Sequence, residues 1–271
     1  MRWIGICMLV SALTLPALGE HDHSERVSRP LWVSIADVVG AHFADGQDWT
    51  TEFVIDNLSD TRQSAGMLFF NSSGESQPVD IKGRGRSSSW TISLPPHGSV
   101  RLETLGTGRS LTQGWVQLEP EDPLENRMGV TAIFRRSLPG IPTYEASVPF
   151  EGLFESKAYL PFDHRNGYIS GVAIVNSSPY ESMTLAMECF NEDGDLIVSA
   201  ELSLGPRNHT AISLTEQLPE LAGQAGVMVV QIKSTRDRLF GFQLLGLRFS
   251  PSGPFSTISP MLTLDESLEL N

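Results

Sequence analysis

Cysteine is almost missing from this 271-residue chain, which holds two, Cys7 and Cys189. Basic side chains are also scarce: 19 Lys and Arg face 32 Asp and Glu, giving a formal net charge of -13. That balance argues against the long-range attraction on which binding to nucleic acid or anionic lipid depends. Beyond the N-terminus no apolar run approaches the roughly 20 residues needed to cross a bilayer. Local signatures of catalysis are wanting as well. Gly-x-Ser-x-Gly, Ser-x-x-Lys and His-Glu-x-x-His do not occur, and helical periodicity is nearly absent.

What is present begins with an export signal. Met1-Arg2 is followed by the apolar run Trp3 to Leu18, and Ala17-Leu18-Gly19 offers small residues where a signal peptidase reads. Residues 1–19 are therefore expected to be removed by cleavage after Gly19, leaving a secreted or periplasmic chain with no membrane span. Cleavage removes Cys7, so an intramolecular disulfide is impossible. Alternation of Met183, Leu185, Met187 and Cys189 puts the remaining cysteine on a core face. Residues 20–30 are expected to form a disordered mature N-terminus and 265–271 a C-terminal tail.

Short runs rich in β-branched and aromatic residues, separated by Gly, Pro, Asn, Asp and Ser, fill the remainder. They predict strands throughout, among them Trp32–Val39, Trp49–Asp56, Trp90–Leu94, Ser99–Glu103, Phe154–Leu160, Met183–Phe190 and Leu196–Leu204. Only Thr215–Leu221 reads as a helical turn.

The chain also repeats itself. Phe43, Trp49, Ile55, Asn57 and Ser59 match Phe162, Tyr168, Ile174, Asn176 and Ser178 at an offset of 119. Phe70-Asn71-Ser72-Ser73-Gly74 then falls on Phe190-Asn191-Glu192-Asp193-Gly194, and His97 on His209. Gly114 meets Gly226, Arg135 meets Arg248 and Gly140 meets Gly253. A collinear series of this kind points to duplication of a unit near 115 residues, the size of one β-sandwich. The expectation is an all-β fold of two tandem antiparallel β-sandwich domains, Ig-like or jelly-roll-like, at 31–149 and 150–264. Either copy is expected to bury its own interior. The loop Ile81 to Ser89, with Arg84 and Arg86, is peculiar to the first.

The order Trp49-Thr50-Thr51, Asn57-Leu58-Ser59, Gly74, Leu94-Pro95-Pro96-His97, Gly114-Trp115 and Ala132-Ile133-Phe134-Arg135 resembles a group of uncharacterised exported bacterial proteins built from paired β-sandwich domains. The resemblance implies a fold and no activity, ligand or site residue.

Candidate sites each have a structural reading beside the chemical one. Asn57 and Asn176 fit turns better than glycosylation sites, and Asn191 to Asp195 fits a hairpin better than a calcium loop. His97 and His209 recur, as structural hydrogen bonds would. His21 and His23 sit at a fraying end. Asp45, Asp48, Glu103, Glu145 and Asp163 could meet across strands. Trp49, Trp90 and Trp115 could stack on sugars, but alternation sends Trp90 inward with Ile92 and Leu94. No catalytic, cofactor-binding or metal residue is selected, and no cofactor is expected. The resulting expectation is an exported, non-enzymatic structural or binding module whose partner is a protein or polysaccharide at the cell surface. Its alternatives are a carbohydrate-binding sandwich pair and a hydrolase with a convergent acidic or serine site. Three aromatic rings on one flat face would favour the first alternative. Two carboxylates in a pocket, or a Ser–His contact with an orienting acid, would favour the second.

Overall fold

The computed structural model describes residues 38–122, 126–150, 156–234 and 241–262. The expected signal segment, residues 20–30 with His21 and His23, and the tail 265–271 lie outside the described residues.

The first half runs through β1 (Val38–Asp45), β2 (Trp49–Asn57), β3 (Gln63–Phe70), β4 (Val79–Ile81), β5 (Gly85–Ser87), β6 (Ser89–Leu94), β7 (Ser99–Glu103), β8 (Thr112–Pro120), β9 (Met128–Arg136) and β10 (Tyr144–Pro149). The second follows with β11 (Lys157–Asp163), β12 (Ile169–Asn176), β13 (Met183–Asn191), β14 (Leu196–Leu204) and β15 (His209–Ser213). After a helical turn α1 (Leu214–Gln217) come β16 (Ala225–Ser234), β17 (Phe242–Phe249), β18 (Phe255–Ile258) and β19 (Met261–Leu262).

All sheet pairings between these strands are antiparallel, and none crosses from one half to the other. Sheet order in the first half is β1-β8-β3-β6 and β10-β9-β2-β7; in the second it is β11-β16-β13-β14 and β18-β17-β12-β15, with β19 added beside β11. Strand for strand, the order is the same. Apolar alternation explains the layering: Phe53 and Ile55 of β2 face Met67 and Phe69 of β3 across one interior, while Val172 and Ile174 share another with Leu185 and Met187. Close approach fixes one glycine in each half. A Cβ on Gly114 would stand 1.9 Å from the Phe70 carbonyl oxygen, and one on Gly226 the same 1.9 Å from that of Phe190.

Several expectations need correcting. Residues 32–37 of the expected strand Trp32–Val39 lie outside the described residues, and β1 runs on from Val38 to Asp45 through Gly40-Ala41-His42, residues of weak strand propensity. Likewise β11 starts at Lys157 and runs on to Asp163. The Ile81–Ser89 loop is largely a hairpin, β4–β5, with Ile81 buried and Arg86 paired to Asp80 at 2.7 Å. Lys82 N–H donates to Glu103 O at 2.8 Å and Leu105 N–H to Asp80 O at 2.9 Å, so the hairpin lies along the end of β7.

Nor is packing confined to each half as pairing is. β12 and β17 send alternate residues to different interiors. Val172, Ile174, Phe242 and Leu244 enter the second core. Ala173, Val175 and Leu245, with Phe255 of β18, join the first core, where Leu247 and Phe249 pack beside them. Sheet β18-β17-β12-β15 is thus apolar on both faces, and its outer face meets the first half. Phe255 rests on Trp49 with ring centroids 4.9 Å apart, and Thr257 Oγ1 donates to Ser147 O at 2.9 Å. Each half has an interior of its own, and this common seam joins the outer face of one second-half sheet to the first.

Candidate functional site

Two buried asparagines show how the scaffold disposes of its polar groups. Asn57 accepts from Ser59 N–H at 3.0 Å and donates its amide to the carbonyls of Thr61, Leu94 and Pro95 at 2.7, 3.3 and 2.8 Å. Asn176 repeats this with Ser178 N–H at 3.1 Å and the carbonyls of Glu181, Leu204 and Gly205 at 2.7, 3.3 and 2.9 Å. Each ties the end of a strand in one sheet to a turn leaving the other. Both are buried, and a glycan on either nitrogen would break these bonds.

The turns after β3 and β13 are matching hairpins. Asn71 Oδ1 accepts from Ser73 N–H at 2.9 Å and Glu75 N–H at 3.0 Å; Asn191 Oδ1 accepts from Asp193 N–H at 3.0 Å and Asp195 N–H at 2.8 Å. Gly74 and Gly194 take φ values of 79° and 86°, which the tight turn requires. Asn191 to Asp195 therefore folds as a hairpin, and no cluster of three or more metal-ligating side chains occurs among the described residues. Cys189 is fully buried, and burial pushes its thiol up to about 12, away from nucleophilic use.

The histidines depart from the sequence expectation. His97 takes φ 54° in an exposed turn and contacts Asp60 at 2.9 Å. Its counterpart by geometry is Arg207, at φ 57° in the turn before β15. His209 instead opens β15, buried at the seam. Its Nε2 lies 3.2 Å from His42 Nδ1, its Nδ1 lies 3.2 Å from Ser72 Oγ, and the two rings stack with centroids 5.3 Å apart. The same turn is held by Trp115 Nε1–H donating to Arg207 O at 2.8 Å and by the Arg207 guanidinium over Phe70 at 5.1 Å. Burial draws His42 down to about 4 and His209 well below its usual range, the second reinforced by His42 itself. His42 carries no signal in the sequence, because Gly40-Ala41-His42 lacks the alternation that marks a strand. His164 was missed too. It is buried, stacks on Phe162 at 5.2 Å and donates from Nδ1 to Leu221 O at 2.9 Å.

Acids do meet across strands, around a guanidinium. On the outer face of β10-β9-β2-β7, Arg135 donates to Glu52 Oε2 at 2.6 Å and to Glu145, and lies 3.8 Å from Glu103; Arg101 donates to Glu52 Oε1 at 3.2 Å. Partial burial alone would raise the Glu52 carboxyl, but the hydrogen bonds from Arg135 and Arg101 outweigh it and hold the group below its usual range. Asp163 is held low by its hydrogen bonds to Arg165, with Arg248 also contributing. Asp45 accepts from Gly106 N–H at 2.7 Å, and Asp48 is exposed. The expected match of Arg135 with Arg248 is corrected by their contacts. Arg248 lies over Tyr168 at 3.9 Å, as Arg136 lies over Trp49 at 5.6 Å. Beside Asp163, a shallow groove of about 430 Å³ is lined by residues including Phe162, Arg165, Glu192 and Gly226.

The chain matches no protein-family model and no curated protein. What it can do must be read from these groups. Trp115 is fully buried and stacks on Phe70 at 4.5 Å, Trp90 is half-buried against Phe69, and Trp49 is half-buried between Phe255 and Arg136. Trp49 belongs to β2 and Trp90 to β6, strands of opposite sheets.

Proposed function

We propose that this chain is an exported, non-enzymatic structural or binding module of the cell envelope or its exterior. One observation carries the reading: Ser72–His209, the contact among the described residues that comes nearest to a nucleophile with its base, leads to His42 and not to an orienting carboxylate. A second neutral imidazole at that place cannot compensate the imidazolium that forms when a serine is deprotonated. The gathered carboxylates give the same answer, since Glu52, Glu103 and Glu145 surround the Arg135 guanidinium, and Glu52 is held below its usual range by it. Neither arrangement supports the hydrolase alternative. For the carbohydrate alternative, Trp49, Trp90 and Trp115 do not share one flat exposed face. Export rests on Met1 to Gly19, and the common strand order of the halves supports descent from one unit.

The reading is tested by screening residues 20–271 against polysaccharides, glycans and envelope fractions, beside a panel of ester, peptide and glycoside substrates. Saturable binding without turnover is expected. Turnover abolished by Ser72→Ala or Glu145→Gln would overturn it. Mass analysis of the exported product should show a chain beginning at Glu20.

A further inference from the structure

We infer that the buried contact between His42 and His209 makes the seam between the two halves acid-labile, so that the seam loosens below neutral pH before either sandwich melts.

His42 lies on β1 at the register shift between Gly40 and Phe43, and His209 is the first residue of β15. The two residues, 8% and 3% exposed, close the seam at the point where the second half's turn docks on the first half's hairpin. His209 N–H also donates to Ser72 O at 3.1 Å. One N–H on each neutral ring satisfies the series Ser72–His209–His42. A first added proton can be shared along it, whereas a second puts two cations 5.3 Å apart.

The surroundings offer no relief. Phe134 of β9 faces His42 with centroids 5.9 Å apart. Arg207, two residues before His209, is cationic and lies over Phe70; Glu75, on the hairpin side, accepts from Asn71 Nδ2 at 3.1 Å. Among the described residues no carboxylate bonds to either ring.

The sign follows from linkage. Both imidazoles have lower proton affinity in the closed seam than in water, so the open form binds more protons below the ordinary histidine value of about 6.5. Each histidine then shifts the opening equilibrium by up to tenfold per pH unit, and the pair by up to a hundredfold. Glu52 and Asp163, held low, keep their contribution down to about pH 4. Between pH 6.5 and 5 the histidines act without them. His164 titrates in the same direction but sits within the second half, where it serves as a control.

The experiment uses residues 20–271 between pH 7.5 and 5. Hydrogen exchange at the His209 amide and the Trp115 indole, corrected for intrinsic rate, reports the seam, and far-ultraviolet circular dichroism reports the sandwiches. Seam protection is expected to fall at least tenfold with β content unchanged. That fall should flatten in the His42→Gln, His209→Gln double variant and persist in His164→Gln. Equal pH profiles in wild type and double variant, or loss of the effect in His164→Gln, would overturn the inference. Should the double variant not fold, the wild-type C2-proton resonances decide. If the resonances assigned to His42 and His209 titrate near 6.5 with the seam still protected, the idea is sunk.

Discussion

The amide of Asn57 is engaged on both sides, and Asn176 is held by the same set of backbone groups in the other half. Replacing either by Ala leaves buried carbonyls without donors, at a cost of about 2–4 kcal/mol. Urea unfolding should show a similar loss for Asn57→Ala and Asn176→Ala, while Asp48→Ala, at an exposed site, should stay within about 0.5 kcal/mol. Glu52 gives a pH-dependent counterpart. Its carboxyl is held low in the folded chain, so its stabilisation is complete above the unfolded value of about 4.3 and is lost as the pH falls through the folded one. Glu52→Gln should therefore cost roughly 1.5–3 kcal/mol at pH 7, and the gap from wild type should close in acid below pH 4. The two asparagines were legible from sequence because each is followed two residues on by a serine that a turn can use. His42 and His164 were not, since nothing local distinguishes a buried imidazole from an exposed one.

Among the elements, strand positions were read well wherever alternation was strong, as in Ser99–Glu103 and Leu196–Leu204, whose bounds coincide with β7 and β14. Reading failed at β1, where Gly40-Ala41-His42 interrupts the pattern, and at β4–β5, where serines and glycines imitate a loop. Registration failed as well: His97 and His209 look alike in sequence, but the backbone places Arg207 opposite His97. The β4–β5 hairpin is held by its apolar roots and not by its arginines. Ile81→Ala should lower stability by about 2–4 kcal/mol, whereas Arg84→Ala, at an exposed tip, should lie within about 0.5 kcal/mol of wild type in the same urea titration.

At the scale of the whole molecule, the seam decides how the halves behave. Severing the chain in the 151–155 segment would bare Ala173, Val175, Leu245 and Phe255 on the second half. That piece alone should self-associate or bind a hydrophobic dye, and mixing it with the first piece should suppress both, as read by light scattering and dye fluorescence. The intact chain should melt in one calorimetric transition, because the first interior includes residues of both halves. This coupling could not be read from periodicity, which identifies a strand buried on two faces without naming what lies against each.

The sheet face that meets the first half, apolar in the second half, is occupied in the first by Glu52, Arg101 and Arg135, and the flank of β11 is taken by β19. A third unit appended at either end would find ion pairs or an occupied strand edge where this seam offers bare hydrocarbon. A second seam of this kind would demand rewriting those surfaces and not merely copying another stretch of chain.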